Sequence, residues 1–138
     1  MKKIITLWLC LLPFLVAVDC GGEEPTDPSQ PDTPEERLVQ NWNITAVVID
    51  GQSQTPSSQS NVGFNSDNSY NITLPELEFF PASGTWEFTG GDTKISINDG
   101  QFVFDVIELD EDSMILELNY ENFKSEPTVY QLTFLVVG

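Results

Sequence analysis

The sequence predicts an all-β domain: eight antiparallel strands running up and down into a closed barrel, behind one short N-terminal helix. Three observations carry this expectation. Apolar residues from Trp42 onward fall mostly at alternate positions, the period of a strand with one buried face. The apolar runs are separated by short clusters of Gly, Asp, Asn and Ser, which have the chemistry of hairpin turns. No apolar pattern at helical spacing is long enough to carry the chain across to a parallel neighbour. Consecutive hairpins make an antiparallel meander, and closing eight such strands removes both exposed edges. An open β-sandwich is the alternative arrangement.

The elements follow in chain order. Thr33-Pro34-Glu35-Glu36 reads as a helix start, with Thr33 as N-cap, Pro34 at the first helical position and Glu36 placed to complete a capping box. The helix must be short, because the strand pattern has begun by Trp42. Trp42, Ile44, Ala46 and Val48 are expected on one face of the first strand. The Ser/Gln-rich stretch 52–60 reads as a loop. Val62 and Phe64 lead into a turn at Ser66-Asp67-Asn68, and Tyr70, Ile72 and Leu74 return. After a connection containing Phe79-Phe80-Pro81, Trp86 and Phe88 alternate with Thr85, Glu87 and Thr89. Gly90-Gly91 turns the chain into Ile95 and Ile97, and Asp99-Gly100 turns it into Phe102 and Phe104. Asp110-Glu111-Asp112 is the next hairpin tip, before Met114, Leu116, Leu118 and Tyr120. The last strand, 129–137, is apolar on both faces towards its end, as expected of a central or closing strand.

The N-terminal part is not globular. Lys2 and Lys3 precede an apolar run from Ile4 to Val18, shorter than the ~20 residues a bilayer span needs, so residues 1–19 read as an export signal. Ala17-Val18-Asp19-Cys20 resembles the lipobox of bacterial lipoproteins, which implies that Cys20 becomes the acylated first residue and that its chains, palmitate among them, hold the protein to the membrane. Two or more acyl chains give stable anchoring where one does not. Residues 20–33 are acidic and Pro-rich with no apolar side chain to bury, a solvated tether reaching up to about 40 Å at ~3.1 Å per residue. The barrel domain then occupies residues 34–138. Cys-Gly-Gly-Glu-Glu at the tether's start resembles the acidic export signal of surface lipoproteins of Bacteroidota. It implies an outer-membrane lipoprotein displayed at the cell surface; an acidic linker under a periplasm-facing domain is the alternative.

Composition excludes several kinds of chemistry. Processing at Cys20 removes Lys2, Lys3 and Asp19, leaving 21 acidic and three basic side chains and a net charge of −18. Such a surface repels phosphates, against nucleic acid and anionic headgroups as partners. Cys10 leaves with the signal and Cys20 is blocked, so no intrachain disulfide forms and the core alone must hold the fold. With no histidine and no free thiol, the common zinc sites and the Ser-His-Asp and Cys-His arrangements are absent. Asp110-Glu111-Asp112 fails as an EF-hand loop, because Met114 and Ile115 stand where a ligand and a glycine are needed. The one mid-strand carboxylate pair is Asp105 and Glu117, and a glycosidase would need one of them buried among aromatics. No enzyme activity, metal or cofactor is expected. Asp112-Ser113-Met114 resembles the O-glycosylation acceptor of Bacteroidota, which would place a glycan on Ser113.

On the period-two reading Trp42, Phe64, Tyr70, Trp86, Phe88, Phe102, Phe104 and Tyr120 all project inward. They make either a filled core or the lining of a cavity for one small apolar ligand, since an eight-stranded barrel is wide enough for only one of these. Phe79 and Phe80 are placed to cover the barrel mouth or to plug it.

The helix leading into Leu38-Val39-Gln40-Asn41-Trp42, the Asp50-Gly51-Gln52 turn, the Val62-Gly63-Phe64-Asn65-Ser66-Asp67 strand-turn, the Gly84-Thr85-Trp86-Glu87-Phe88 strand and the Met114-Ile115-Leu116 strand are together similar to the lipocalin-like lipoproteins of Bacteroidota. The likeness runs from about Glu36 to Gly138. One position departs: the Gly-x-Trp signature of lipocalins has Gly where this chain has Gln40. The resemblance implies an eight-stranded calycin-type barrel in a family usually of unestablished function, with binding of a small apolar ligand suggested by analogy; the domain is expected to be monomeric. A module that binds glycan or protein with its exterior, through Trp86 or Tyr130, is the rival reading.

Overall fold

In a computed structural model of the chain, residues 33–121 and 126–138 are described; the export signal, Cys20 and all but the last residue of the tether lie outside them. The described elements are α1 (Pro34–Leu38), β1 (Asn41–Ile49), β2 (Gln52–Gln54), β3 (Asn61–Phe64), β4 (Ser69–Thr73), β5 (Ser83–Thr89), β6 (Lys94–Ile97), β7 (Phe102–Leu109), β8 (Ser113–Tyr120) and β9 (Thr128–Val136), with a 3-10 turn at Pro75–Leu77 between β4 and β5. Strands β1, β3, β4, β5, β6, β7, β8 and β9 pair in that order, all antiparallel, and β9 pairs back onto β1. The result is the closed eight-stranded barrel expected. Among the described residues no helix is long and apolar enough to cross a membrane.

Local chemistry explains the turns. Asp50 and Gly51 both adopt positive φ (48° and 79°), which gives a tight hairpin its twist. Asn98, Asp99 and Gly100 do the same between β6 and β7, and Gly90, Gly91 and Asp92 between β5 and β6. Between β3 and β4, Asp67 accepts hydrogen bonds from the backbone and side chain of Ser69, which hold its carboxyl below the ordinary carboxylate range. The helix begins as its sequence implies: Glu36 N donates to Thr33 Oγ1 and Thr33 N to Glu36 Oε2, both at 3.2 Å, completing the capping box.

Two details of the expected pattern change. First, Ala46 and Val48 do not continue the inward face of β1; Val47 does, fully buried. A β-bulge between Ile44 and Ala46 inserts one residue opposite β9 and reverses the alternation beyond it. Second, Gln52–Gln54 is strand rather than loop. It folds back on the end of β1 outside the barrel, pairing Gln54 with Val47 and Gln52 with Ile49. All three of its side chains are exposed, so no apolar alternation marked it. A second bulge, between Val106 and Glu108, turns Ile107 out of β7 into solvent. In β9 the late apolar residues do not bury both faces: Leu135 is about half exposed, and the strand's role is closure through its pairing with β8 and β1.

One end of the barrel is sealed by α1. Leu38 has no exposed surface, and its carbonyl accepts the Trp42 indole N–H at 3.0 Å. Gln40, where the signature has glycine, spends its side-chain amide on two carbonyls, Arg37 O at 2.8 Å and Glu111 O at 3.0 Å. That ties the helix end to the β7–β8 turn, work a glycine could not do. The connections after β1, β4, β6 and β8 leave from the opposite end.

Candidate functional site

The eight aromatics named from the sequence converge as the pattern required. Trp42, Phe64, Tyr70, Trp86, Phe102 and Phe104 are buried, and Phe88 and Tyr120 are half-buried against the same core. They meet in tilted and edge-to-face contacts, the geometries favoured by the ring quadrupole: Phe64 on Trp86 at 5.8 Å and 85°, Trp86 on Phe88 at 5.9 Å and 88°. Leu77, Phe80, Leu132 and Phe134 complete the interior. Between the rings remains one apolar void of about 20 Å³, bounded by Phe64, Tyr70, Phe80, Phe104 and Phe134 among others. That is scarcely more than one water's worth, with no polar atom to hold a water.

The mouth opposite α1 is closed by the connection 74–82. Its 3-10 turn sets Leu77 and Phe80 inward and leaves Phe79 on the rim. Phe80 lies 4.8 Å from Phe102, 5.6 Å from Phe104 and 6.0 Å from Tyr70. Phe79 stacks on Tyr120 at 4.2 Å and 14°, and leans on Tyr130 at 5.5 Å. The Tyr70 hydroxyl donates to Pro81 O at 3.1 Å. Glu76 reaches sideways to the loop before β3: its Oε1 accepts from Ser57 N at 2.7 Å and its Oε2 from the buried Ser60 Oγ at 3.3 Å. Sequence reasoning placed Phe79 and Phe80 at the mouth but missed Glu76, whose role depends on a loop 16 to 19 residues away and leaves no local signal.

Burial pushes the Tyr70 phenol above its ordinary value, a shift partly offset by a side-chain hydrogen bond with Asn98. Tyr130 is also raised, by burial and then by the charge of Asp50. A phenol raised in the folded state stabilises fully below its unfolded value of about 10, and that stability is lost as pH climbs through the folded value. Urea unfolding should therefore show stability falling above pH 10. Tyr70→Phe should be less stable at pH 8, lacking the Pro81 bond, yet should lose less between pH 10 and 12. An unchanged alkaline slope would contradict this.

The other sequence candidates are placed as follows. Asp105 and Glu117 are cross-strand partners, but on the outer face, where Asp105 is engaged by Lys94. Neither is set among the aromatics. Trp86, a candidate for external binding, is only 3% exposed and donates its indole N–H to Asn65 O. One edge of it lines an open cleft of about 300 Å³ with Glu35, Glu36 and Val39. Tyr130 is half-buried under Phe79. The Ser113 hydroxyl donates to Glu108 at 2.9 Å at the start of β8. Among the described residues, no group of three or more acidic, Cys or His side chains could hold a metal ion.

No curated protein matches this sequence. A family model described as a lipocalin-like domain matches residues 38–116, from the end of α1 into β8. The match spans more than half of the chain and takes in the helix-to-Trp42 junction, the mouth connection, six of the eight barrel strands and the first half of a seventh. The chain therefore belongs to the lipocalin-like domain family.

Proposed function

We propose that this protein is an outer-membrane lipoprotein, anchored through acylated Cys20 and facing the cell surface, whose barrel binds one small, mostly apolar ligand at its mouth. The anchor rests on the signal-length apolar run before Cys20 and the acidic, Pro-rich stretch after it. The single observation that carries the binding role is how the mouth is closed: among the described residues, side chains of the 74–82 connection separate an aromatic interior from solvent there. The resting interior has no room for a ligand, so binding requires displacement at that end.

Two experiments test the two halves. Radioactive fatty acid should label the protein and not Cys20→Ala; equal labelling overturns the anchor. Toluene, phenol and acetophenone, titrated by NMR, should bind saturably at one site and shift Tyr70, Phe102 and Phe104. Failure of all three to saturate overturns the binding role. The exterior reading would then gain, on a specific observation: Ile107, Leu135 and Val137 each leave about half their surface exposed on and beside β7 and β9.

A further inference from the structure

We infer that residues 74–82 form a displaceable lid in which Phe80 stands in for the ligand, held shut by a carboxylate latch at Glu76. The ligand half rests on the binding role proposed above; the lid itself does not.

The argument begins with which bonds hold the segment. Within it, Leu77 N donates to Leu74 O and Phe80 N to Leu77 O, so these backbone bonds are internal and can travel with it. Its ties to the barrel wall are a backbone bond at its margin, Ile72 N to Ala82 O at 2.8 Å, and the Tyr70 hydroxyl on Pro81 O. Among the described residues everything else is side chains: Leu74, Leu77 and Phe80 inserted, Phe79 stacked on Tyr120, Glu76 on the 57–60 loop. Residues 74–81 can lift with the Ile72–Ala82 bond and the β4–β5 pairing intact. The α1 end is built differently, because there Phe64 N donates to Gln40 O and Val137 N to Asn41 O across the seam.

Glu76 supplies the charged tie. Its carboxylate accepts from a backbone N–H and from a buried hydroxyl, and charge-assisted bonds are roughly twice as strong as neutral ones. Releasing it frees the 3-10 turn from the 57–60 loop, and Phe79 can leave Tyr120 without opening any strand pair.

The space that Phe80 vacates fixes the ligand's chemistry. It is ringed by Tyr70, Phe102 and Phe104, so it suits a flat group about the size of one aromatic ring. Withdrawal of Pro81 also frees the Tyr70 hydroxyl hydrogen, while Asn98 stays bonded to its oxygen, so the ligand should carry a hydrogen-bond acceptor. A sequence with 22 acidic residues against five basic ones disfavours an anion, which makes the class neutral aromatic carbonyl or ether compounds.

The test is hydrogen exchange and acetophenone titration on the intact protein, comparing wild type, Glu76→Ala, Phe80→Ala and the double variant. In Glu76→Ala, exchange at 76–80 should rise about tenfold while the amides of β7 to β9 are unchanged, and acetophenone should bind tighter by a similar factor, because apparent affinity scales with the open fraction. Phe80→Ala should also tighten binding, and adding Glu76→Ala to it should change affinity little, since the competing ring is already gone. Lid amides that exchange only with global unfolding, or that ignore Glu76→Ala, overturn the lid whatever acetophenone does. Latch-dependent exchange with no acetophenone binding leaves the lid standing and removes the ligand half.

Discussion

Trp42→Ala should unfold a large part of the protein at room temperature. Trp42 has no exposed surface, and its indole N–H is bonded to Leu38 O where α1 meets β1. Truncating a buried Trp or Phe costs about 3–5 kcal/mol in transfer and cavity terms. Leu38 O also accepts from Gln40 N at 2.8 Å, so losing the indole donor adds only about 1 kcal/mol, the net worth of one hydrogen bond. Domains of this size are stable by only about 5–15 kcal/mol, and this one has no cysteine between Thr33 and Gly138 to staple it. The urea midpoint should drop sharply or the native baseline vanish. Trp42→Phe keeps most of the volume and should lose roughly half as much. A Trp42→Ala midpoint no lower than that of Val103→Ala, on the exposed face of β7, would show that the α1 seal contributes nothing.

Gly84→Ala should destabilise by about 2 kcal/mol, within the range for overpacking a filled site. A Cβ on Gly84 would lie 2.0 Å from Asn98 Oδ1 and 2.8 Å from its Cγ. Asn98 cannot simply swing away, because that Oδ1 accepts the Thr85 N–H at 3.0 Å and its backbone sits at φ 50° in the β6–β7 turn. The double variant Gly84→Ala/Asn98→Gly supplies the test. Glycine adopts the positive φ freely and removes the clashing atoms, so adding Gly84→Ala to Asn98→Gly should cost well under 1 kcal/mol. Additive losses would mean that the strain at Gly84 lies elsewhere.

The residues also mark where sequence reasoning reaches and stops. Turn chemistry carries its own geometry, so Asp50-Gly51, Gly90-Gly91 and Asp99-Gly100 were legible, as was the capping box of Thr33 and Glu36. Period-two alternation placed the eight aromatics on the inner face because a strand offers its side chains only two directions. The same rule misassigned Ala46 and Val48, since the bulge before Ala46 costs one residue and has no compositional mark. β2 was hidden for the opposite reason: its side chains are all exposed, and only the free end of β1 beside it recruits its backbone.

For the candidate site, composition and alternation supplied the cast: an apolar, aromatic interior, an acidic exterior, no histidine and no cysteine beyond Cys20. Whether that interior was full or hollow depended on how rings from seven different strands and one loop meet, and their sum of volumes against barrel radius is not written in any local stretch. The packing of the closed ring settles the question, with about 20 Å³ left between the rings. It also decided what closes the barrel. Leu38 and Trp42 seal one end through a contact four residues apart, local enough to read, whereas the other end is held by Phe80 among Tyr70, Phe102 and Phe104 and by Glu76 on Ser57 and Ser60. Those partners lie 10 to 24 residues from them along the chain and become neighbours only when the strands close into a ring.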